Sequence, residues 1–235
     1  MCAPARRMAS QARHEPGQCA TDWYSGPDTR RYHLRPMLEQ RIQQHFIDSA
    51  DLKYQAAQAL SHPIASAVQA ILASVTGGGK VLACGGGLSA LQAQQFASFC
   101  VDGFERERPE LAALSLAHTP GQAGSANDPR QVAGGLSRQV RALGQAGDVL
   151  LLVSTSGDDP SLQEAVQAAH ERDMTVIALC GRTGGALAGL LRETDVQICV
   201  PHDRAARVSE VHALVLHCLC DGVDAQLLGE QEIPL

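Results

Sequence analysis

The chain has 235 residues, 45% of them hydrophobic and only 3% aromatic, with a formal net charge of −6. That length and apolar content suffice for one substantial core, and because Ala, Leu, Val and Gly carry the apolar share, helices packed closely on a parallel sheet are favoured over a β-sandwich. No continuous apolar run reaches the roughly 20 residues of a bilayer span. The polar start, with Arg6, Arg7 and Arg13, lacks the apolar centre of a secretory signal. Residues 1–36 hold six arginines against three acids, which leaves a body with 13 basic and 22 acidic residues. Such a surface lacks the clustered cations that nucleic acid demands. A cytoplasmic protein that touches neither membrane nor nucleic acid is expected.

Along the chain, residues 1–36 are rich in Pro, Gly, Arg and Ser without periodicity, and read as a mobile or mis-assigned extension. Residues 37–228 form the expected domain, and 229–235 a flexible tail. Ile42, Phe46, Ile47, Leu52 and Ala56 predict a helix over 38–60. His62-Pro63 predicts the start of a second helix through Val75, with Pro63 in its first turn and Gly77-Gly78-Gly79 ending it. These two would make an antiparallel pair whose apolar face suits self-association.

Strands and helices then alternate. Strand 80–84 precedes helix 89–103, and strand 111–116 is followed by a flexible stretch from His118 to Asp128. A helix to Leu143, strand 148–153, helix 160–172, strand 174–179, a short helix near 185–191, strand 195–200 and helix 204–225 complete the pattern. Five nearly continuous apolar strands separated by helices predict an α/β fold with a five-stranded parallel sheet covered on both faces, a flavodoxin-like three-layer arrangement. The eight cysteines, at 2, 19, 84, 100, 180, 199, 218 and 220, include no Cys-x-x-Cys pair. They read as reduced and mostly buried, and Cys218 and Cys220 point in different directions on one helix.

Two loops follow strands and open helices: Cys84-Gly-Gly-Gly-Leu-Ser89 and Ser154-Thr-Ser-Gly-Asp-Asp159. They aim backbone N–H groups and small hydroxyls at one crevice beyond the strand ends, the arrangement that holds a phosphate at a helix N-terminus. Asp159, just before Pro160, also reads as the helix N-cap.

The spacing of Cys84-Gly-x-Gly-x-Ser89, Ser154-Thr-Ser-Gly157, Arg207-x-x-Glu-Val-His212 and Leu219-Cys-Asp221 resembles the sugar isomerase (SIS) domain over about residues 38–228. The resemblance is to its phosphoheptose isomerase branch and to a relative, the DnaA initiator-associating protein. The segments Gln139–Leu151 and Arg172–Leu179 look closer to the latter. The resemblance implies a sugar-phosphate cradle of Ser89, Ser154, Thr155 and Ser156, with Asp159 in place of a further serine. It also implies, for the isomerases, a histidine and a glutamate four apart on the first loop's helix. Those positions are Gln95 and Phe99 here, and neither moves a proton as a charged base does. In members that bind zinc, a distal glutamine and a last histidine join them; these align with Ser209 and His217. With three of the four changed, no metal is expected, and zinc enters only if the chain is an isomerase.

His217 and Asp102, three residues past Phe99, are the fallback acid–base candidates; Glu210 and His212 read as solvent or interface groups. A phosphate dianion within about 4–6 Å of Asp159 would be repelled by roughly 3–4 kcal/mol per unit charge at an effective dielectric near 20. These departures lead to an expectation of a non-catalytic homotetramer that binds the replication initiator DnaA through Leu227 and Leu228 and promotes its assembly at the origin. The alternatives are D-sedoheptulose 7-phosphate isomerisation for lipopolysaccharide heptose, or sensing of a sugar phosphate.

Overall fold

A computed structural model describes residues 29–117 and 129–229. The expected mobile stretch 118–128, most of the N-terminal extension and the final tail lie outside the described residues. The chain divides into two units, 1–46 and 47–235. In the first, the described residues belong to helix α1 (Thr29–Thr76) and present Met37, Leu38, Ile42 and Phe46 at the surface.

In the second unit the elements follow in the order β1 (Val81–Gly85), α2 (Ser89–Asp102), β2 (Ala113–Ser115), α3 (Pro129–Leu143), β3 (Val149–Val153), α4 (Pro160–Glu171), β4 (Thr175–Gly181), α5 (Gly185–Ala188), β5 (Val196–Val200) and α6 (Ala205–Leu228). All four strand pairings are parallel, in the order β2-β1-β3-β4-β5. Side chains alternate across the sheet and feed two cores. Val81, Ala83, Val149, Leu151, Ile177 and Ile198 pack with α1, α2 and α6. Leu82, Leu150, Leu152, Val176 and Ala178 pack with α3, α4 and α5. Burial on both faces explains why β1 and β3 read as unbroken apolar runs rather than alternating ones.

The expected pair of N-terminal helices is one continuous helix, which begins earlier than anticipated. Pro63 lies in its interior rather than at a start. Leu52, Ala56, Leu60, Ala67, Val68 and Ile71 form one buried stripe that runs past the proline on both sides. An interior proline costs about 3 kcal/mol, and each fully buried Leu or Ile contributes about 1.5–3 kcal/mol, so packing wins over local propensity.

Contrary to the apolar-run reading, residues 37–76 and α6 are long and apolar enough to cross a membrane by length and composition. In α6 the packing gives a different reason for that character: ten of its residues are buried, among them Arg207, His212 and Asp224.

Candidate functional site

The order β2-β1-β3 makes the boundary between β1 and β3 the point where successive connections leave in opposite directions. Helix α2 packs in one core and α4 in the other, so the loops after β1 and β3 part and leave a crevice at the strands' carboxyl ends. Gly86 N donates to Val153 O at 3.1 Å and ties the two loops together. The crevice encloses about 540 Å³. Its walls are the first loop with Ser89, the second loop from Ser154 to Ser156 with Asp159, and the first turns of α6 at Ala205, Ala206 and Ser209.

The second loop is pinned by its own side chains. Gly157 N donates to Ser154 Oγ at 2.9 Å, Asp158 N to Ser156 Oγ at 3.2 Å, and Ser161 N to Asp159 Oδ1 at 2.9 Å. Asp159 therefore caps α4, with Pro160 at the first helical position. Gly157 takes φ +80° against the backbone of Gly184, where a side chain has no room. At Gly86 an added Cβ would stand 2.6 Å from Asp159 Oδ2, so the carboxylate lies directly against the first loop. Burial, with the charge of Asp159 added, pushes the Cys84 thiol up to about 12. That thiol is no nucleophile.

The hydroxyl residues and Asp159 thus converge as the two loops suggested. The fallback acid–base residues do not join them. Asp102 is exposed at the last position of α2 and lines no part of the crevice. His217 is partly buried in an aromatic cluster, its ring centroid 5.8 Å from Phe99 and 5.2 Å from Phe104. Leu227 and Leu228 are exposed in the last turn of α6, away from the crevice walls.

One correction concerns α6. His212 is fully buried rather than a surface group: its Nε2–H donates to Cys180 O at 3.1 Å, and burial lowers its pKa to about 4. Glu210 accepts from Ser49 Oγ at 2.6 Å and pairs with Arg207. The sequence reading also missed Gln92, whose Nε2 donates to Ser209 O at 2.8 Å and joins α2 to the α6 wall. Nothing local marks that contact, which spans 117 positions.

The family description "SIS domain" matches residues 44–181. The phosphoheptose isomerase of Methylibium petroleiphilum is 58% identical over 197 residues, 84% of this chain and 98% of that one. The chain belongs to the SIS domain family. Within the family, the phosphoheptose isomerase of an Azoarcus strain is 50% identical over 83% of this chain and 99% of its own. The solved phosphoheptose isomerase of Neisseria gonorrhoeae superposes with a TM-score of 0.73 at 43% identity, over 80% of this chain and 99% of that one.

These relatives overturn the expectation of an initiator-binding scaffold: they carry the isomerase name, and the branch favoured from two segments was the other one. Of the four positions that the resemblance attaches to zinc in some isomerases of this family, His217 alone keeps a metal-ligating side chain. Phe99 offers only a hydrocarbon ring, and Gln95 and Ser209 offer neutral oxygens. No cluster of three or more His, Cys, Asp or Glu able to hold a metal occurs among the described residues.

Proposed function

We propose that this SIS-domain chain interconverts the ketose and aldose forms of a phosphorylated heptose, D-sedoheptulose 7-phosphate, in the cytoplasm. The observation that carries the reading is the hydroxyl-lined crevice at the β1/β3 switch point, in a chain that matches 98% of the length of a phosphoheptose isomerase. Ser89, Thr155 and Ser156 supply hydroxyls to the phosphate, and the N-terminus of α4 supplies its dipole. Moving a proton between adjacent sugar carbons needs a group that both accepts and donates. Gln95 and Phe99 do neither, and His217, packed against Phe99 and Phe104, stands outside the described crevice walls, so it enters this reading only as the fallback residue that the assay tests. The exposed Met37, Leu38, Ile42, Phe46, Ile47 and Tyr54 of α1 support a self-associating form in this reading, a homotetramer countable by sedimentation.

A second reading is favoured by Phe99 itself: the crevice binds a sugar phosphate without converting it, as a sensor would. One experiment separates the two. Purified protein is incubated with D-sedoheptulose 7-phosphate, with and without zinc, and thermal unfolding is followed with the same sugar. Slow, zinc-independent turnover that disappears in His217→Ala supports the isomerase. A thermal shift without turnover supports the sensor. Neither turnover nor a shift at millimolar sugar overturns both.

A further inference from the structure

The crevice contains one charged side chain among its described lining residues, and that charge is negative. Asp159 reaches into it from the N-cap of α4, with one carboxylate oxygen taken by Ser161 N and the other against the backbone of Gly86. No lysine or arginine is among the described lining residues, and Arg204 is exposed beside the wall residue Ala205. Arg207, next to the wall residue Ala206, is engaged by Glu210. The hydroxyls of Ser154 and Ser156 are held by N–H groups of their own loop. An incoming phosphate dianion therefore meets hydroxyls, peptide dipoles and a fixed carboxylate, with no cation among the described lining residues to offset the last.

We infer that Asp159 sets the charge specificity of this crevice: its carboxylate holds the affinity for phosphate dianions down, so that removing the charge while keeping the cap converts a weak phosphosugar site into a tight one. This rests on the sugar-phosphate reading of the crevice and adds a residue that limits it. The cap function and the charge function are separable, because asparagine and serine cap helix N-termini about as well as aspartate. Asp159→Asn keeps the shape and the acceptor for Ser161 N and removes only the charge. Counting a single unit of repelled charge at about 6 Å and an effective dielectric near 20, the relief of about 2.8 kcal/mol corresponds to about a 100-fold gain in dianion affinity.

The field of this carboxylate is felt in the wall. It adds to burial in raising the Cys84 thiol at the end of β1. The closeness to Gly86 also prevents the side chain from swinging toward the first loop to escape a ligand.

The test is isothermal titration of native protein, Asp159→Asn, Asp159→Ser and Asp159→Glu with three probes: D-sedoheptulose 7-phosphate, inorganic phosphate and unphosphorylated sedoheptulose. Circular dichroism melting checks that each variant is folded. The expected result is a gain of about 100-fold in affinity for both phosphorylated probes in the Asn and Ser variants. No gain is expected in the Glu variant, and no change for unphosphorylated sedoheptulose in any of them. A gain below threefold in the Asn and Ser variants, or an equal gain in the Glu variant, overturns the inference. Native protein that binds the phosphosugar tightly with no gain on substitution leaves the functional reading intact and sinks only this one. Variants that bind while native protein neither turns over nor shifts sink the isomerase and uphold the charge role. Folded variants and native protein that all fail to bind either phosphorylated probe sink both.

Discussion

His212 is a buried imidazole whose protonation the fold opposes. Burial lowers its pKa from 6.5 to about 4, and the hydrogen bond to Cys180 O only partly offsets this. At pH above 6.5 the ring is neutral folded and unfolded, and it contributes nothing to pH dependence. As pH falls from 6.5 to 4, the unfolded chain takes up a proton that the folded one refuses, so stability drops, by about 3 kcal/mol in all. Below pH 4 the effect levels off. Melting of native protein and His212→Asn between pH 7 and pH 4 checks this: the native profile falls more steeply, and parallel profiles would reject it. The burial was legible in principle. Val208, Val211, His212, Val215 and Leu219 form one helical stripe, and a polar residue on such a stripe reads as interior once the stripe is taken at face value. The serines and threonine of the second loop were legible for a different reason, since loop-and-cap chemistry acts over two or three residues. The Gln92–Ser209 contact was not legible, because only tertiary packing brings α2 against α6.

Between elements, a buried polar tie joins the end of α2 to α6. Arg108 Nε donates to Asp224 Oδ1 at 2.5 Å, and its other nitrogens donate to Phe99 O and Cys100 O, carbonyls of the last turn of α2. Both side chains are about 2% exposed. Removing one partner leaves a buried charge uncompensated, so Arg108→Ala is expected to cost about 3–5 kcal/mol in urea unfolding. Arg108→Met combined with Asp224→Leu should recover most of that loss. A double variant no better than the single one would show that the tie itself holds the helices together. Helix α1 gives the opposite lesson. Its proline signal pointed to a break, and propensity lost to a stripe of apolar contacts on both sides. Pro63→Ala should therefore raise stability by about 2 kcal/mol, the helix gain less the entropy returned to the unfolded chain. An unchanged melting temperature would place the cost of the proline elsewhere.

For the molecule as a whole, the sheet was the most legible feature and the function the least. Strands buried on both faces leave an apolar run that survives any error of a residue or two at the ends, and β1, β3 and β4 carry it, whereas β5 is partly exposed and includes Gln197. The edge strand β2 is only three residues long and partly exposed, so its predicted length was too generous. Function depended on weighing lost groups against retained ones. Gln95 and Phe99 stand where the resemblance places the isomerases' histidine and glutamate, and that difference argued for a scaffold with no chemistry. The relatives, 58% and 50% identical over nearly their whole lengths, carry the same isomerase name. Absent residues in a single sequence do not report whether a neighbouring group does their work, and an assay decides between conversion and sensing.

The crevice is braced at three points. Gly86 N to Val153 O fastens one loop to the other, Gln92 anchors the α6 wall to α2, and Asp159 bridges from the cap of α4 to Gly86. A vessel of this kind cannot remould itself around a poorly matched guest. It gives up little conformational freedom when the right one enters, and it has no slack with which to draw a wrong charge away from its neighbour.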